Sequence, residues 1–213
     1  MIPLRDTIPS RRTAWITRLL IVANVLVFAL ELSQGRRLER FIARFGLVPA
    51  HWTPLALVTS QFLHGGFAHL AANMLYLWIF GDNVEDRLGH GRFLCLYLTC
   101  GVVAGLSQLL ISPHSAVPMV GASGAIAGVL GAYFLLFPSA RIITLVPIGF
   151  FLQTMELPAF VFLLIWFVMQ WASGLMAIGQ VADVGGVAFW AHVGGFLAGM
   201  LGIAVLRPQR RWT

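Results

Sequence analysis

The chain contains no lysine, only 8 acidic residues among 213, and two cysteines. Each scarcity excludes something. Charged residues make up 10% of the composition, where a soluble globular domain carries roughly a quarter, so a water-soluble fold is excluded. Cys95 and Cys100 stand five apart in one apolar run and point to different sides of a helix, which argues for packing and against a disulfide framework or a metal pair. No Ser/Gly/Pro-rich linker, low-complexity segment or internal repeat divides the chain. Met1 to Ser10 is polar, and the first apolar run lacks a small-residue cleavage site, so a cleavable signal peptide is not expected.

What is present is apolar. Hydrophobic residues reach 59% and the mean hydropathy is +0.85, the composition of an integral membrane protein. The net charge of +6 comes from arginine alone. Arginines spread among loops and tails set membrane orientation, and they do not form the concentrated patch that nucleic-acid binding needs.

A crossing of the ~30 Å hydrocarbon core takes about 20 apolar residues. The spacing predicts spans at Trp15 to Leu32, Phe67 to Val84, Arg92 to Leu110, Ser123 to Phe137, Leu157 to Ile178, and a sixth ending at Leu206. Leu38, Phe41, Ile42 and Phe45 fall at i, i+3, i+4 and i+7 opposite Arg37, Arg40 and Arg44, the pattern of an amphipathic helix in the headgroup region. Leu47 to Leu63 is interrupted by Pro49, His51, Pro54 and Gln61 and reads as an interfacial loop. Ile142 to Met155 is apolar but short, with Pro147, Gly149 and Gln153, and so is expected to be interfacial or re-entrant. The fold expected is an all-α membrane protein: a six-transmembrane-helix bundle with a short, recessed central fourth helix and an amphipathic interfacial first loop. Residues 1–13 read as a short basic tail, 14–206 as the six-span core and 207–213 as a second basic tail.

Six spans put both termini on one side. That side, with its loops, holds ten arginines and the opposite side four, so the termini are expected in the cytoplasm. Every even-numbered span then begins on the far side. His69 and Asn73 lie near the start of the second, Ser123 starts the fourth and His192 lies near the start of the sixth. Alternation alone brings the four residues to one membrane face.

Serine at a helix start is often only a cap. The company of Ser123 argues for more. The fourth span is fifteen residues, about 22 Å of helix at ~1.5 Å per residue, so Ser123 starts below the membrane surface. Non-helical backbone there survives only where it lines protein or water. Gly124, Gly128 and Ala132 form a small-residue stripe after the serine, and Gly195, Gly199 and Gly202 share the face of His192; such stripes let helices pack closely in lipid. A hydroxyl nucleophile needs a base, a role open to His192, and an acyl intermediate needs donors at its oxyanion. The Ser123 N–H, His69 and Asn73 can supply them. No acid is well placed to orient His192. Asp183, a loop residue, is the nearest, so a Ser-His dyad is favoured over a triad. A metal site from His64, His69 and His192 lacks a carboxylate or thiolate fourth ligand nearby.

Gly121-Ala122-Ser123-Gly124, His69-x-x-x-Asn73 and Ala191-His192-x-x-Gly195-x-x-x-Gly199 resemble the signature of rhomboid intramembrane serine proteases. Glu85-x-x-x-Gly89 and His64 also fit, and the resemblance covers roughly residues 15 to 206. It implies Ser123 as nucleophile, His192 as general base, and His69, Asn73 and the Ser123 backbone N–H as oxyanion hole, with Gly121, Gly124, Gly128, Gly195 and Gly199 packing closely. It implies cleavage of membrane-protein substrates within helix-destabilised transmembrane segments, in a bilayer, with no cofactor, metal or nucleic acid. It also implies that Ile142 to Met155 is a cytoplasmic-side connection, and the simple six-span form points to a bacterial cytoplasmic membrane. Many members carry Trp-Arg in the first loop, whereas here Thr53 follows Trp52.

Two other readings compete. An inactive relative that only binds transmembrane segments would typically lack the serine or the histidine. A transporter or channel would want internal repeats, interrupted span pairs or midplane charges. Glu85 with Arg87 or Arg92 reads as a fold-stabilising interfacial network, and Trp166, Phe167 and Trp171 as lipid-facing or packing groups.

Overall fold

The structure, a computed structural model, describes residues 1–149, 151–177 and 188–206. Four helices in it are long and apolar enough to cross a membrane: α1 (Trp15–Ser33), α5 (His90–Ile111), α7 (Ala159–Ala177) and α8 (Phe189–Leu206). Between α1 and α5 come α2 (Leu38–Phe45), α3 (Ala56–Thr59) and α4 (Phe67–Leu88). Helix α4 matches the spans in length but ends in the charged cluster Asp82, Glu85, Asp86 and Arg87. The sixth long element is α6 (Ser123–Leu136), only 14 residues, about 21 Å at ~1.5 Å per residue. The whole is a six-helix bundle in which α6 is central: every residue from Gly124 to Tyr133 is buried. It packs against α8, α5, α4 and α7.

The sequence explains how a central helix can be enclosed on all sides. A Cβ on Gly195 would strike the Gly124 carbonyl oxygen, one on Gly199 would strike that of Gly128, and one on Gly131 would strike that of Phe196. On its other side α6 sets Gly124 against Ala104 and Gly128 against Cys100, both on α5. Lipid offers no hydrophobic drive to bring helices together, so contact at backbone distance is what holds them. Gly199→Ala is therefore expected to cost stability at or above the upper end of ~1–3 kcal/mol, read as a lower melting temperature in detergent. Gly91→Ala, where an added Cβ meets nothing within 4 Å, is the control and leaves the melting temperature unchanged.

The end of the bundle opposite the start of α6 takes a form the sequence does not announce. Ile142 to Met155 is a connection and not a span, as expected, but its backbone is extended. It forms the antiparallel pair β2 (Arg141–Ile148) and β3 (Phe151–Pro158), turning at Gly149, whose φ is +59°. The β-branched run Ile142, Ile143 and Thr144 suits a strand, and the alternation buries Ile142 and Thr144 while Arg141 stays exposed. Met1 to Thr13 is not merely a tail. Ile2–Asp6 forms β1, which pairs antiparallel with β2 to give the order β1-β2-β3. Asp6 anchors it, accepting hydrogen bonds from Asn83 Nδ2 at 2.7 Å and from the Tyr133 hydroxyl at 2.5 Å. Burial lifts the Asp6 carboxyl above the usual carboxylate range, and the Tyr133 hydrogen bond partly offsets this. The basic residues 207–211 of the second tail lie outside the described residues.

Glu85 stabilises the fold, as the sequence suggests, but its partners include the start of α1. Its carboxylate accepts from the N–H groups of Ile16 and Thr17 at 2.9 and 2.8 Å, from Thr17 Oγ1 at 2.7 Å, and pairs with His90 Nδ1. Two first-turn N–H groups of α1, which have no intrahelical acceptor, are thus capped from α4, where an anion also suits the helix dipole. Arg87 instead lies over the Phe137 ring. Helix α2 has no buried residue, so its apolar side is available to the interface.

Candidate active site

The starts of α4, α6 and α8 meet around a cavity of about 680 Å³. The loop leading into α6 is fixed from the first loop. Leu47 and Met119 exchange both backbone hydrogen bonds, and the Gly121 N–H donates to the Ser60 carbonyl at 2.9 Å. Thr53 has a local task there, its hydroxyl accepting from the Ala56 N–H at the start of α3 at 3.2 Å. Gly121 adopts φ +129°, a conformation closed to residues with a side chain. A Cβ there would also collide with the His69 ring. The glycine lets the chain turn tightly into α6 while His69 approaches Ser123.

Ser123 Oγ and His192 Nε2 are 2.8 Å apart. The other ring nitrogen, Nδ1, is 2.7 Å from the side-chain oxygen of Gln170 on α7. An amide oxygen only accepts, so Nδ1 carries the proton, Nε2 presents its lone pair, and the serine hydroxyl donates to it. Trp166, one turn before Gln170, lies beside the imidazole with ring centroids 5.9 Å apart and lines the cavity; it is a wall of the site and not only a packing group. Phe167 packs on Phe196, and Trp171 is exposed. Asp183 lies outside the described residues.

On α4, His69 and Asn73 face the same cavity. The Gly65 N–H donates to His69 Nδ1 at 3.3 Å, leaving His69 Nε2 as the protonated nitrogen, beside Gly121 and Ser123. Asn73 is 6% exposed, yet its Nδ2 has no hydrogen-bond partner. A buried donor left unpaired costs roughly 1–3 kcal/mol, so this one stands ready for an acceptor that enters the cavity. The first-turn N–H of Ser123 is free in the same sense. Behind His69, the His64 ring packs edge-on at 5.2 Å, and the His64 N–H donates to the buried Glu31 carboxylate. Burial, with His69 nearby, pushes the His64 imidazole down to about 4, so that ring is uncharged at neutral pH. Among the described residues no three His, Cys, Asp or Glu side chains form a group able to hold a metal ion.

Two residues at the site escape a reading of the sequence, one behind His192 and one lining the cavity. Gln170 interrupts the apolar fifth span, and a polar residue in a span is the signal that could have marked it. Gln61 looks like an interruption of the first loop. It is buried against Gly101 and lines the cavity, and its Oε1 has no partner.

The Rhomboid domain family matches residues 51–209. Among curated proteins, rhomboid protease GluP of Bacillus subtilis is 38% identical over 140 residues, covering 62% of this chain and 27% of that protein. Rhomboid protein 1, mitochondrial, of Saccharomyces cerevisiae is 35% identical over 133 residues, covering 60% and 38% respectively. The human presenilin-associated rhomboid-like protein, mitochondrial, is 31% identical over 191 residues, covering 85% and 45%. The matched region is thus between about a quarter and a half of the length of these relatives.

Proposed function

The chain belongs to the rhomboid family, and from that premise we propose that it is an intramembrane serine endopeptidase working through Ser123 and His192. The observation that carries this is the 2.8 Å contact between Ser123 Oγ and His192 Nε2, in a cavity that also holds the unpartnered amide of Asn73. Residues 14–206 are its catalytic core. Ser123 Oγ attacks the substrate carbonyl carbon as its proton passes to His192 Nε2. The oxyanion formed takes hydrogen bonds from the Ser123 N–H, His69 Nε2–H and Asn73 Nδ2, groups already oriented before charge develops. His192 then gives its proton to the amine as the C–N bond breaks. A water surrenders a proton to His192, attacks the acyl ester and releases the second product, and that proton returns to Ser123 Oγ. No step needs a cofactor or metal.

The substrate is a membrane-spanning segment of another protein. An intact helix keeps its carbonyls in its own hydrogen bonds, so the segment must unwind locally to offer one, which favours sequences that destabilise helices. We place the site on the extracytoplasmic side, with the arginine-rich ends inside. The named relatives include a bacterial protein and mitochondrial ones, so they do not single out the bacterial cytoplasmic membrane.

The test is covalent labelling. Protein in liposomes treated with a fluorophosphonate is expected to carry the adduct on the peptide containing Ser123, and to cleave a model transmembrane substrate with a helix-breaking centre. Absence of both adduct and cleavage overturns the reading in favour of a relative that binds membrane segments without cutting them.

A further inference from the structure

Helix α7 presents two side chains to the imidazole from one face, since residues four apart stack on the same side of a helix. Trp166 lies beside the ring, and Gln170 Oε1 meets its Nδ1 at 2.7 Å. We propose that Gln170 is the positioning residue of the site, holding His192 in the tautomer and rotamer that let it act as a base. This rests on the protease reading above and adds a third member to what the sequence presents as a dyad.

A neutral imidazole has one N–H and one lone pair, and only the form protonated on Nδ1 can accept from Ser123. If Nδ1 had no acceptor, nothing would oppose the other tautomer, in which Nε2–H donates to Ser123 Oγ and cannot take its proton. A ring flip would equally remove Nε2 from the serine, and it would break the bond to Gln170. Gln170 takes up no proton at any stage: Nδ1 keeps its hydrogen while Nε2 gains and loses one. A neutral amide orients without supplying the charge a carboxylate would bring to an imidazolium. Facing His192 are Ser123 from α6, Trp166 and Gln170 from α7, and His69 across the cavity from α4. On α5, Cys100 abuts Gly128 and Tyr97 lies near Asn24 of α1, and neither acts on the ring. His69 is thus the one other titratable group among the described residues that acts on it.

The experiment compares wild type, Gln170→Leu and Gln170→Glu in liposomes. It follows kcat and KM on a transmembrane substrate, the pH dependence of fluorophosphonate labelling, and NMR of the histidine ring nitrogens. Gln170→Leu keeps the size but removes the acceptor. It is expected to lower kcat by about 10- to 100-fold, by analogy with removal of the outer hydrogen-bond partner of a metal-ligating histidine, with KM unchanged and the Nδ1–H signal of His192 replaced by mixed tautomers. Gln170→Glu restores an acceptor of the same reach. It is expected to recover the Nδ1–H signal and most of kcat, and to move the acidic limb of the labelling profile to higher pH, because a carboxylate favours the protonated ring. A leucine variant with wild-type kcat, pH profile and ring signals overturns the proposal, and so does a glutamate variant with an unmoved limb. If wild type neither labels nor cleaves yet the ring signals respond as described, the protease reading falls and the positioning role stands.

Discussion

Ser123→Ala and His192→Ala are each expected to abolish turnover, and the protein carrying both changes is expected to be no slower than either alone. In the proposed mechanism, removing the hydroxyl deletes the atom that forms the acyl bond. Removing the imidazole leaves that hydroxyl protonated, with no acceptor at 2.8 Å. Each single change is expected to cost roughly 10⁵- to 10⁶-fold, and the losses do not add, because the two groups act as one unit. The pair of singles and the double in one cleavage assay check this, with labelling as a second readout. Both side chains are only partly buried and neither takes part in the glycine-mediated backbone packing that holds the bundle, so the variants should elute and melt as wild type does. Residual cleavage by Ser123→Ala at a measurable fraction of the wild-type rate would show that another group attacks the substrate.

Asn73→Ala is expected to lower kcat by about 10²- to 10³-fold while leaving KM and the fold in place. The effect is smaller because His69 and the Ser123 N–H remain as donors. It falls on kcat because the oxyanion exists only after the serine has attacked, so a donor aimed at it stabilises the transition state more than the bound substrate. The fold should survive because Nδ2 has no partner in the protein to lose. Steady-state kinetics on a transmembrane substrate read both constants. A change confined to KM would reassign Asn73 to substrate binding.

Much of this site is legible in one dimension, and the reasons differ residue by residue. Ser123, His192, His69 and Asn73 are polar residues in apolar runs, and lipid makes such residues conspicuous. That they share one end of the bundle follows from counting crossings. Gly124, Gly128, Gly195 and Gly199 announce close packing through their spacing. The sequence cannot say that the Gly199 backbone lies on the Gly128 carbonyl and that of Gly195 on Gly124, since the stripes fit several helix pairings.

By itself, then, the sequence determined the membrane environment, the helical spans and the residue types gathered at one face. Span length, hydropathy and alternation are properties of consecutive residues and need no knowledge of partners. Only the tertiary structure decided that residues 2–6 form a strand paired with residues 142–145, that Glu85 caps a helix 68 residues earlier in the chain, and that Gln170 reaches His192 across 22 residues and two helices. Those contacts join positions whose separation carries no periodic signal. Each is fixed by where packed backbones place a donor and an acceptor, and that arrangement exists only once the bundle has closed around α6.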